Sequence, residues 1–78
     1  MKTEKAISLV MEQLERCVRE HNAYDSPHEG YAVILEELDE LWDDVKQNHI
    51  EAACEEAAQV AACAIRFIID LSTHPNGL

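Results

Sequence analysis

The chain has 78 residues, 47% hydrophobic and 28% charged, and its sixteen acids against six Lys and Arg give a formal charge of −10. Such a length supports one small domain at most, here 1–78, and a chain this short buries only about 60% of the surface its unfolded form exposes, so it is marginal alone. The acidic balance excludes a basic nucleic-acid footprint, and no stretch approaches the roughly 20 apolar residues that cross a bilayer, so neither nucleic acid nor membrane is an expected partner and the location reads as cytoplasmic.

Two Gly and two Pro, with few β-branched runs, favour helices over a sheet and place the chain in the all-α class. Residues 3–21 form the first expected helix. Ile7, Val10, Met11, Leu14, Cys17 and Val18 recur at spacings of three and four and make one apolar stripe, which a partner helix must cover. The run 22–27 breaks it. Ser26 followed by Glu29 has the form of a capping box, with Pro27 at the first helical position, where its missing N–H costs nothing.

The second helix is expected over 27–47. Tyr31, Ile34, Leu35, Leu38, Leu41, Trp42 and Val45 fall on one broad face, which reads as core, including the two aromatics. Glu36, Asp39, Glu40 and Asp43 fall on the opposite face, with Glu37 toward its edge. Gly30 weakens the first turn by roughly 1 kcal/mol relative to Ala; tolerance near a helix end is its plainest account.

Asn48 followed by Glu51 again has the pattern of a helix start. The third helix is therefore expected over 49–72, forming a tight antiparallel hairpin with the second. It is apolar around most of its circumference, with only a narrow polar stripe of Glu55, Gln59, Arg66 and Asp70. Arg66 and Asp70, four apart, read as an intrahelical ion pair. A helix so apolar needs burial on nearly all sides, which three helices cannot provide. A homo-oligomer, dimer or tetramer, completing a larger helical bundle is therefore expected. Pro75 and Gly77 then end the helical part.

Cys17, Cys54 and Cys63 occupy apolar-patterned positions without metal-binding spacing, and read as buried structural thiols. The chemistry concentrates elsewhere. Glu37 and Glu40 share one face of their helix, and Glu56 and Gln59 share one face of the next. Two such helices side by side can present a cluster of oxygen donors, which hard divalent cations require and which Mg²⁺ complements with phosphate oxygens of a substrate.

Glu37-Leu38-Asp39-Glu40, a spacer, and Glu56-Ala57-Ala58-Gln59 resemble the ExxE, spacer, ExxD signature of the MazG-like family, all-α nucleoside triphosphate pyrophosphohydrolases. The resemblance covers about residues 28–71 and departs from the pattern at Gln59, where Asp is expected. It implies a cofactor, Mg²⁺ with Mn²⁺ as the alternative, held by Glu37, Glu40, Glu56 and Gln59, with Glu36 and Glu55 as additional candidates. It also implies a nucleoside triphosphate ligand, cleaved to a nucleoside monophosphate and pyrophosphate, with Glu37, Glu40 and Glu56 as the catalytic set. The alternative is a noncatalytic, degenerate MazG-like helical oligomer that binds a nucleotide or a protein partner, because Gln59 brings no negative charge.

Overall fold

The computed structural model describes residues 1–72. It contains three helices, α1 (Thr3–Glu20), α2 (Pro27–Lys46) and α3 (Ile50–Ser72), and no strand among the described residues. The tail expected beyond Ser72 lies outside them. The helix bounds agree with the expected ones to within a residue at each end.

α3 is the central element. It packs against both α1 and α2, whereas α1 and α2 make no close backbone approach to each other. This follows from composition, since α3 carries small or apolar residues around most of its circumference. Ala53, Ala58, Ala62, Cys63 and Leu71 are buried along it, and Leu14 is their buried counterpart on α1. The Ala side chains let the neighbouring helices lie close.

The start of α2 follows the capping pattern. Ser26 Oγ accepts a hydrogen bond from the Glu29 backbone N–H at 3.1 Å, and Glu29 Oε1 accepts from the Asp25 N–H at 3.0 Å, one residue earlier than in a strict capping box. Gly30, in the same turn, has a more specific role than tolerance. A Cβ there would meet Phe67 Cδ2 at 2.6 Å and Tyr24 Cδ2 at 3.1 Å. Only glycine lets this turn of α2 seat against α3.

Asn48 corrects the expected start of α3. Its φ of 59° is left-handed, its N–H donates to the Val45 carbonyl at 3.1 Å, and the His49 N–H donates to the Asp44 carbonyl at 2.9 Å. That is a Schellman closure, so Asn48 ends α2 rather than opening α3. Asn supports both roles, and the left-handed conformation it tolerates decided this one.

The face of α2 turned to α3 also differs from expectation. Gly30, Val33, Ile34, Glu37, Leu41 and Asp44 are buried or partly buried, while Tyr31, Leu35, Leu38, Trp42 and Val45 are exposed. Tyr31 and Trp42, at 64% and 58% exposure, are not core residues of this chain. The apolar stripe was broad enough to be split, with only Ile34 and Leu41 facing inward. Elsewhere Ile7, Met11 and Val18 of α1 and Ile50, Ile68 and Ile69 of α3 are exposed as well.

All three cysteines are free. Cys63 is buried and Cys17 partly so, but Cys54 is exposed, contrary to its apolar pattern. It lies on the outward side of α3.

Arg66 and Asp70 do more than pair along their helix. Arg66, only 4% exposed, donates from Nε to Asp70 Oδ2 at 3.0 Å, from Nη1 to the Cys17 carbonyl at 2.8 Å, and from Nη2 to the His21 carbonyl at 2.9 Å. Asp70 Oδ2 also accepts from the Tyr24 N–H at 3.1 Å, and the Tyr24 ring lies 5.8 Å from the guanidinium carbon. Arg66 therefore meets the negative end of the α1 dipole, where a cation is favourable. One buried ion pair on α3 thus anchors the end of α1 and the loop that follows.

Candidate cation site

α2 and α3 meet so that residues early on one face residues late on the other. Gly30 lies against Phe67, and further along, Glu37 lies beside Glu56 and Gln59. Helix period then brings Glu40, one turn after Glu37, to the same place. The carboxylates of Glu37, Glu40 and Glu56 offer oxygens that all lie within 4.8 Å of one another. Glu37 and Glu56 are partly buried and Glu40 is exposed, so the cluster spans from the helix interface to solvent. α3 alone supplies the second helix that Glu37 and Glu40 need.

Three carboxylates so close repel when all are ionised. Glu37 bears the consequence most strongly. Its carboxyl is pushed up from 4.5 to about 7, first by a hydrogen bond with Glu56 that favours the protonated acid, then by burial and the neighbouring charges. Glu40 is also raised, by its hydrogen bond with Glu37 and by the charge there. Glu56 Oε2 is buried with no hydrogen-bond partner among the described residues. In the metal-free chain the proton on Glu37 relieves this crowding, and a hard cation among the same oxygens would replace it.

The remaining candidates separate. Glu36 and Glu55 are exposed and outside the three-carboxylate cluster; Glu36 acts on it through its charge alone, raising Glu37 and Glu40. Gln59 spans from Glu37 to α1. With its nitrogen and oxygen placed so that both are satisfied, the nitrogen donates to Glu37 Oε2 at 3.0 Å and the oxygen accepts from Arg16 Nη2 at 3.3 Å. Sequence reasoning missed Arg16. It lies on another helix, and nothing in its own stretch marks it.

Glu37 and Gln59 also border an open cleft of about 380 Å³. Gln13, Arg16 and Cys17 of α1 form one wall, Val33 and Glu36 of α2 the other, and Ala62 and Cys63 of α3 the floor. It exists because α3 holds α1 and α2 apart. No protein-family model, curated protein or solved structure matches the chain.

Proposed function

We propose that the chain is a Mg²⁺-dependent nucleoside triphosphate pyrophosphohydrolase that converts the triphosphate to a nucleoside monophosphate and pyrophosphate. The observation that carries this reading is the convergence of Glu37, Glu40 and Glu56, from two helices, within 4.8 Å. These are the acidic positions of the MazG-like resemblance. The donor set fits the ion: all three are hard carboxylate oxygens within reach of one centre. Mg²⁺ held there would supply charge neutralisation for phosphate and an activated water. Mn²⁺ suits the same donors.

The side chains divide the work by position. Glu37 and Glu56, on facing helices, set the spacing at the inner end of the site. Glu40 stands at the solvent rim, where a ligand arrives. Because the chain carries a formal charge of −10, a triphosphate approaches only where a cation offsets that charge.

The reading includes a homo-oligomer, dimer or tetramer. Tyr31, Leu35, Leu38, Trp42 and Val45 are exposed and alternate at spacings of four and three, the pattern of a coiled-coil seam. A second copy covering this seam would complete a larger bundle around the antiparallel hairpin of α2 and α3.

One observation favours a second reading. Gln59 adds no negative charge to the cluster, and its amide is engaged with Glu37 and Arg16. A noncatalytic module that binds a metal nucleotide or a protein partner has the same donors without turnover. Product analysis distinguishes the two. Incubation with nucleoside triphosphates and Mg²⁺ is expected to yield pyrophosphate and monophosphate in equal amounts. Tight nucleotide binding without cleavage would favour the module, and release of orthophosphate and diphosphate would contradict the proposed reaction.

A further inference from the structure

The cation site accounts for Glu37, Glu40 and Glu56 but leaves the cleft beside it unexplained. Its acids outnumber its cations: Glu20, Glu29, Glu36 and Glu37 border it, against Arg16. Arg16 forms no ion pair among the described residues; its guanidinium is held by the neutral carbonyl of Gln59. Arg66, the other guanidinium nearby, is buried and bonded to Asp70 and two carbonyls. Arg16 is thus the permanent cation of the cleft with its charge still available. Gln13 adds a buried carbonyl oxygen, Oε1, that has no donor among the described residues.

The chemistry of residue 59 links this cleft to the cluster. An amide donates from nitrogen and accepts at oxygen, so it can join a carboxylate to a guanidinium. A carboxylate at 59 accepts only, and would place a second anion against Glu37. An apolar side chain does neither. Gln59 is therefore better matched to its two neighbours than Asp would be.

We propose that the cleft between α1 and α2 seats the anionic ligand of the cation site, with Arg16 as its counter-charge and Gln59 as a positioning residue that ties Arg16 to Glu37. The inference rests on the cation-site reading and adds to it a role for the one position that departs from the family pattern. Gln59 acts through Glu37, fixing which carboxylate oxygen turns to the cation. Arg16, released from a neutral carbonyl, loses little in turning to a phosphate group.

The test uses the full chain and two probes, Mn²⁺ alone followed by electron paramagnetic resonance, and inorganic tripolyphosphate with saturating Mg²⁺ followed by calorimetry. Gln59→Leu and Gln59→Asp are each expected to weaken Mn²⁺ binding by about 10-fold or more, as loss of an outer partner of a metal ligand commonly does. Arg16→Gln is expected to leave Mn²⁺ affinity within about threefold and to weaken tripolyphosphate about tenfold or more, through loss of a charge-assisted contact. Helical circular dichroism of each variant checks that the fold persists. Equal or tighter Mn²⁺ binding by Gln59→Asp would overturn the positioning role, since a direct ligand improves on becoming charged. Unchanged tripolyphosphate binding by Arg16→Gln would overturn the counter-charge. If the parent chain binds no Mn²⁺, the cation-site reading falls and this inference with it; if the parent binds and the variants match it, the inference alone falls.

Discussion

Replacing Glu37 by Gln is expected to stabilise the metal-free chain above neutral pH while removing its cation binding. Glu37 is held at about 7 instead of 4.5, so the folded state takes up a proton that the unfolded chain has already released. Stability is therefore fully present below about pH 4.5 and is lost as pH rises through about 7. At ~1.4 kcal/mol per unit the ceiling is about 3.4 kcal/mol, and because Glu37 is only partly buried, solvent screening reduces this to about 1–2 kcal/mol. Glutamine keeps the shape of the protonated acid and cannot ionise. Near 4–8 °C per kcal/mol for a domain of this size, the variant should melt about 5–15 °C above the parent at pH 8 and level with it below pH 4.5. The assay is thermal melting in chelator at one fixed protein concentration, repeated with Mn²⁺. Added Mn²⁺ should raise the parent and leave the variant unmoved. Equal melting at pH 8, or a variant less stable than the parent there, would refute the crowding of Glu37 by Glu56.

Other perturbations test the packing. Gly30→Ala should lower stability by about 1–3 kcal/mol through overpacking, despite the ~1 kcal/mol that Ala adds in helix propensity, because its Cβ would lie 2.6 Å from Phe67; a raised melting temperature would contradict the close approach. Arg66→Ala should cost about 3–5 kcal/mol by leaving the buried Asp70 carboxylate short of its cation, and hydrogen exchange should rise first around residues 17–25. Asn48→Ala should cost about 1 kcal/mol and Asn48→Gly should be neutral or stabilising, as a left-handed residue at the end of α2 requires; equal effects of the two would contradict the Schellman closure. If the proposed oligomer forms through the α2 seam, Leu38→Lys with Trp42→Lys should reduce the mass seen by sedimentation equilibrium, and an oligomeric parent whose mass the variant keeps would contradict that seam.

The helices were legible because their signals are local. Ser26, Pro27 and Glu29 announce the start of α2 within four positions, and the cap forms there. Asn48 has the pattern of a helix start yet ends one, because one residue type serves both ends of a helix and only its backbone angle separates the uses. The split of the α2 stripe was hidden for another reason. Leu38 and Leu41 are both apolar and three apart, yet a small rotation of the helix sends one outward and one inward, and what fixes that rotation is the contact of Gly30 with Phe67 on another helix. At the site, Glu37, Glu40 and Glu56 are named by the motif resemblance, and the structure brings them together. The partners of Gln59 are not, because Arg16 reaches it from a helix that no motif connects to the others. Likewise Arg66 and Asp70 were legible as a pair four apart, but not their hold on Cys17, His21 and Tyr24.

The most direct measurement is pyrophosphate release from a panel of standard and modified nucleoside triphosphates with Mg²⁺ or Mn²⁺, run beside the Glu37→Gln plus Glu40→Gln variant. Metal-dependent release that is lost in the double variant is the predicted result. Release that survives both substitutions, or no release from any triphosphate by a folded parent chain, would contradict hydrolysis at the Glu37, Glu40 and Glu56 cluster.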